Sequence, residues 1–194
     1  EISEPQILFW GDYKNHGFEN RRDDDVIFSI FNGRRPYYEE EFPWIEGPWV
    51  IKRNGIYYLE YSASGTQWKT YAEGYYTATS PLGPYTYAAN NPLLQKTEGL
   101  VTGTAHGSIV KGPDDQWWQF YTIVLSNPPG GRRIGMDKVT FDADGLMYVN
   151  VTDTPQPAPL ATPETDKPAS VPVTINKVRA MNALSKVSSE QFGF

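Results

Sequence analysis

Short hydrophobic runs, broken every few residues by polar or turn-forming positions, set the rhythm of this chain. Ile7-Leu8-Phe9-Trp10 and Val26-Ile27-Phe28-Ser29-Ile30-Phe31 read as strands in the first 45 residues. From residue 46 to residue 150 the rhythm tightens into a dense series of short strands and turns. Residues 151–170 change character. Pro155, Pro157, Pro159, Pro163 and Pro168 mark a semi-rigid linker, because proline stiffens the chain and donates nothing to a ladder. Residues 171–194 form a separate C-terminal segment.

The middle zone repeats. Glu46-Gly47-Pro48 aligns with His106-Gly107-Ser108 at an offset of 60 residues. At the same offset, Asn54-Gly55-Ile56-Tyr57-Tyr58-Leu59-Glu60-Tyr61 falls on Asp114-Asp115-Gln116-Trp117-Trp118-Gln119-Phe120-Tyr121. Both copies read strand, polar turn, aromatic strand. A third strand follows in each, Tyr75–Thr79 or Arg133–Val139, then a Gly-containing turn and a short fourth strand. Four antiparallel strands per repeat is the pattern of propeller blades. A closed ring needs about four to eight blades, and residues 1–150 hold roughly two and a half periods at four strands each. The expectation is therefore an all-β chain that forms part of a propeller. The missing blades would come from another chain or segment.

Composition narrows the partners. Six Trp, thirteen Tyr and nine Phe, set among 17 Gly and 16 Pro, suit short strands in an all-β protein. They fit a sandwich or barrel core, and they also fit sugar binding, since aromatic faces stack on the C–H faces of pyranose rings. The net charge of −6, with scattered basic residues, argues against nucleic acid or an anionic membrane as partner. No apolar run approaches the ~18 residues that span a bilayer. The absence of cysteine excludes disulfides and thiolate chemistry. No N-terminal basic and apolar signal pattern is present, so a signal for export would lie outside this chain.

Several motifs, taken in order, carry a specific resemblance. They are Glu46-Gly47-Pro48-Trp49-Val50, Lys52-Arg53-Asn54-Gly55-Ile56-Tyr57-Tyr58-Leu59-Glu60-Tyr61-Ser62 and Ala78-Thr79-Ser80-Pro81-Leu82-Gly83-Pro84-Tyr85. Gly103-Thr104-Ala105-His106-Gly107-Ser108, Gly131-Arg132, Met136-Asp137 and Phe141-Asp142-Ala143-Asp144-Gly145 follow. Together they resemble the last two blades of glycoside hydrolase family 43, over roughly residues 44–150. The resemblance implies a five-bladed β-propeller with its site at the central funnel. It implies inverting hydrolysis of β-xylosides, α-L-arabinofuranosides or related plant polysaccharides. It also implies a general base Asp and a tuning Asp, and no motif here matches either. Export to an extracellular or periplasmic space follows from such substrates. No cofactor is implied beyond a structural calcium.

The resemblance assigns Glu46 as the general acid. Such a carboxyl must hold its proton near neutral pH, and Trp44, Ile45, Pro48 and Trp49 flank it with apolar surface. His106 stands at the equivalent repeat position and is expected at the central cavity, holding a water or, through water, a calcium ion. Arg132, with Arg133 if the register slips, matches an Arg that reaches substrate or acid. Trp44 and Trp68 are candidate sugar platforms. Among Tyr57, Tyr58, Trp117 and Trp118, neighbours face opposite ways, so half should be packing. Thr154-Pro155-Gln156 and Ser188-Ser189-Glu190 resemble a join into a discoidin-type (F5/8 type C) β-sandwich module. A non-catalytic carbohydrate-binding propeller is the alternative reading, and loss of the base in the complete protein would favour it.

Overall fold

The computed structural model describes residues 4–12, 14–20, 45–66, 68–125 and 132–157. Each copy of the repeat becomes one four-stranded antiparallel sheet. The first contains β1 (Ile45–Arg53), β2 (Ile56–Ala63), β3 (Ala72–Ala78) and β4 (Thr86–Tyr87). The second contains β5 (Val101–Lys111), β6 (Trp117–Leu125), β7 (Arg132–Phe141) and β8 (Met147–Val149). In both, neighbours in sequence are neighbours in the sheet. The first hairpin shows why. Arg53 pairs with Ile56 across Asn54-Gly55, whose φ angles are 49° and 84°. Positive φ at both central residues makes the turn whose twist matches the strands it joins.

The sheets pack on each other through one apolar layer. Ile51, Tyr58, Tyr75 and Leu94 of the first half meet Ile109, Tyr121, Val139 and Met147 of the second. Polar tips reach across the same seam. Trp49 Nε1 donates to Ile109 O at 2.9 Å, and Tyr58 Oη donates to Gly145 O at 2.9 Å. The Met147 N–H donates to Tyr75 Oη at 2.9 Å, and that hydroxyl donates to Asn90 Oδ1 at 2.7 Å. Buried aromatic hydroxyls and indoles require such partners.

The N-terminal segment differs from expectation. Ile7–Trp10 is not a strand. Its Phe9 lies flat on Tyr76, with ring centroids 4.1 Å apart, and edge-on to Tyr61. Phe18, in a 3-10 turn at Gly17–Asn20, is buried beside them. Side-chain packing on the outer face of the first sheet thus takes the place of ladder pairing. Every residue of β2 from Tyr58 to Ala63 is buried as a result, one face against the second sheet and the other against this segment. Glu19 is enclosed there and accepts hydrogen bonds from Tyr61 Oη at 2.6 Å and from the Asp12 N–H.

The expected strand at Val26–Phe31, the platform Trp44 and the C-terminal segment 171–194 lie outside the described residues. Residues 151–157 carry no helix or strand. Among the described residues no helix is long and apolar enough to cross a membrane.

Candidate active site

Two β-bulges build the site. On β1, Glu46 pairs with Ser62, and the next pair is Trp49 with Glu60. Three steps on one strand therefore oppose two on the other. On β5, Ala105 pairs with Thr122 and Ser108 with Phe120, giving the same mismatch. Bulges bend the strand and re-aim side chains. Pro48 suits its bulge, where no ladder donor is required. Gly47, at φ 62°, leaves room for its neighbour: a Cβ there would stand 3.2 Å from the His106 ring. His106 itself adopts φ 54°, an uncommon conformation for a residue with a side chain.

These backbone features bring three side chains together. Tyr71 Oη donates to Glu46 Oε1 at 2.6 Å and lies 3.2 Å from His106 Nδ1. His106 Nδ1 is 3.6 Å from the same Glu46 oxygen. Tyr71 is fully buried, whereas the side chains of Glu46 and His106 keep 33% and 47% of their surface open. Burial, and then the adjacent Glu46 carboxylate, hold the Tyr71 phenol far above its ordinary pKa, so it acts as a neutral donor. The result is an accessible carboxyl gripped from below.

Tyr71 had no motif to announce it. It arrives by two successive turns, in which the Trp68 N–H donates to Gly65 O and the Tyr71 N–H donates to Trp68 O, each at 3.1 Å. Trp68 is only 2% exposed, so the expected sugar platform is instead packed inside the turn that carries Tyr71. Its indole has no open face for a sugar ring. Tyr58 and Trp118 are likewise buried, with Tyr57 and Trp117 half-buried beside them.

A second group of polar residues lies directly beneath. Glu60 of β2, Glu73 of β3 and Gln119 of β6 are all fully buried. Gln119 Nε2 donates to Glu60 Oε2 at 3.3 Å and lies 3.4 Å from both Glu73 oxygens. Desolvation pushes Glu60 up to about 7, and desolvation together with Glu60 raises Glu73 well above its ordinary value. Burial and the neighbouring like carboxyl both disfavour ionising the two together, which favours a state in which they share one proton. The Gly107 N–H donates to Glu73, tying this pair to the bulge that holds His106.

Arg132 opens β7 and is exposed, as is Arg133. The Arg132 carbonyl accepts a hydrogen bond from Arg133 Nη1 at 2.9 Å, and among the described residues no hydrogen bond or ion pair joins either Arg to Glu46. Among the described residues no group of three or more His, Cys, Asp or Glu is placed to hold a metal. The imidazole, phenol and single carboxylate around His106 supply few of the six to eight oxygen ligands that calcium takes directly, and the expected contact runs from His106 through water.

The family model described as "Glycosyl hydrolases family 43" matches residues 21–147. A β-D-galactofuranosidase of Aspergillus niger is 33% identical over 113 residues, which is 56% of this chain and 33% of that protein. A xylosidase/arabinosidase of Humicola insolens is 32% identical over 115 residues, 58% of this chain and 31% of that protein. The chain thus spans about a third of the length of these relatives. Among solved structures, a thermostable family-43 glycoside hydrolase superposes with a TM-score of 0.55 at 36% identity, covering 61% of this chain and 39% of that one. An endo-1,4-β-xylanase from Bacteroides thetaiotaomicron gives 0.52 at 32% identity, covering 56% and 38%. The two sheets are blades of a β-propeller, and the chain belongs to glycosyl hydrolase family 43.

Proposed function

We propose that the protein carrying this chain hydrolyses plant-polysaccharide glycosides, β-xylosides or α-L-arabinofuranosides, with Glu46 as general acid and with inversion. The observation that carries this reading is the half-open Glu46 carboxyl, aimed by a bulge and held by Tyr71 beside His106. Family membership and relatives named for xylosidase and arabinosidase activity support it. In the step proposed, protonated Glu46 gives its proton to the glycosidic oxygen. The bond from the anomeric carbon to that oxygen breaks, and its electron pair stays on the departing oxygen. Water attacks the opposite face and loses a proton to a second carboxylate about 6.5–9.5 Å from the acid. That carboxylate belongs to blades that this reading draws from another segment or chain. His106 and Arg132 face the sugar in the same reading, and Trp44 supplies a stacking face. A polysaccharide substrate places the protein outside the cell or in the periplasm.

Glu46→Gln in the full-length protein is the test. Hydrolysis of aryl β-D-xylosides and α-L-arabinofuranosides with poor leaving groups should fall roughly 10²- to 10⁴-fold, the range general acid catalysis supplies. Proton NMR of the first-formed product should show the inverted anomer. An unimpaired variant overturns the assignment of Glu46. A wild-type protein that binds oligosaccharides without cleaving them would instead make this a carbohydrate-binding propeller.

A further inference from the structure

We propose that Tyr71, held in turn by Ser62, is the positioning residue of the acid: it occupies Glu46 Oε1 and leaves Oε2 to carry the proton that is transferred. This rests on the reading of Glu46 as the acid. One group in this cluster cannot change its role. The backbone N–H of His106 only donates, and it donates to Ser62 Oγ at 2.7 Å. Ser62 is fully buried, and its own hydroxyl donates to Tyr71 Oη. A phenol has one proton to give and two lone pairs with which to accept. The Tyr71 proton goes to Glu46 Oε1, the nearer partner at 2.6 Å, and the oxygen's second lone pair faces His106 Nδ1 at 3.2 Å. That network assigns the imidazole proton to Nδ1. The chain of hydrogen bonds therefore runs one way, from a fixed backbone donor through two hydroxyls to one carboxyl oxygen.

Two consequences follow for the reaction. Oε1 is an acceptor in both states of the acid, so the labile proton resides on Oε2, on the side away from Tyr71. As that proton leaves, negative charge grows on the carboxylate, and a neutral donor already in place strengthens with it. Such an interaction is worth more in the transition state than in the bound substrate. Its loss should lower kcat while leaving KM nearly unchanged.

The experiment is a leaving-group series of aryl glycosides on the full-length enzyme, comparing wild type, Tyr71→Phe, Ser62→Ala, Glu46→Gln and the Tyr71→Phe/Glu46→Gln double variant. For poor leaving groups Tyr71→Phe should lose roughly 10- to 100-fold in kcat, part of what the whole acid supplies. For dinitrophenyl glycosides, which need little protonation, the loss should shrink to about threefold or less. Ser62→Ala should show the same trend with a smaller amplitude. In the Glu46→Gln background, Tyr71→Phe should cost nothing further, because its effect passes through the acid. An equal loss across all leaving groups, or a full additional loss in the double variant, would make Tyr71 merely structural and overturn the proposal. If Glu46→Gln itself ignores the leaving group, the acid assignment fails instead. Thermal melting identifies a variant that does not fold, and Ser62→Ala then carries the comparison with the phenol ring intact.

Discussion

Gly47 and Gly107 lack side chains where an imidazole and a carboxyl need the space. A Cβ on Gly107 would stand 2.2 Å from Gln119 Nε2 and 2.5 Å from Phe120 O. Relief there requires movement of backbone, so Gly107→Ala should destabilise by about 1–3 kcal/mol, as overpacking does. Gly47→Ala adds a side chain in the left-handed region, costing about 1–2 kcal/mol, and crowds His106. Urea midpoints of both variants check this, and Gly47→Ala should also reduce activity. At this scale the sequence shows Glu46 and His106 plainly, because a repeat offset and a motif both point to them. Trp68 and Tyr71 it does not separate. Both sit in one irregular turn between β2 and β3, with no strand alternation to say which faces inward. The indole went into the interior and the phenol reached Glu46.

Among the elements, β2, like β3 beside it, departs from the alternation expected of a half-exposed strand. It is buried on both faces, and it carries Glu60 into the seam with Glu73 of β3, facing Gln119 of β6 and the Gly107 N–H of β5. Unfolded, both carboxyls ionise near 4.5; folded, Glu60 titrates at about 7 and Glu73 well above its ordinary value. As pH rises from about 4.5 through 7, the folded protein keeps protons that the unfolded chain releases. Stability contributed at low pH is therefore lost over that window, by roughly 1.4 kcal/mol for each unit by which the folded pKa is raised. Glu60→Gln removes one ionisable group while keeping its hydrogen-bonding capacity. Its urea midpoint should depend less on pH between 4.5 and 7, and it should exceed wild type near pH 8. A pH dependence identical to wild type would mean that the pair does not share a proton. The strand itself is legible in Tyr57–Tyr61. The burial of its glutamate is not, because that depends on a sheet some 60 residues away.

For the whole molecule, the bonds that cross between sheets matter more than any one blade. Tyr75 Oη receives the Met147 N–H, while Asn90 Nδ2 donates to Met147 O at 2.6 Å. Tyr75→Phe leaves a buried amide without its partner, a loss of about 1–3 kcal/mol. Because the apolar layer is shared, protection from hydrogen exchange should fall in β8 and β3 together rather than in β3 alone. The four-strand repeat made the two sheets readable in advance, since each is stitched by local hairpins. How the sheets face each other is non-local, and the sequence carries it only as scattered aromatics.

The paired bulges have a bearing on ancestry. Within a residue of the same place in each copy, the backbone kinks in the same way, yet one kink presents a carboxyl and the other an imidazole. A duplicated hairpin would thus have inherited a ready-made bracket before it acquired its chemistry. Kinship between such segments should then be sought in the mismatch of three steps against two, which can outlast the identity of the side chain it displays.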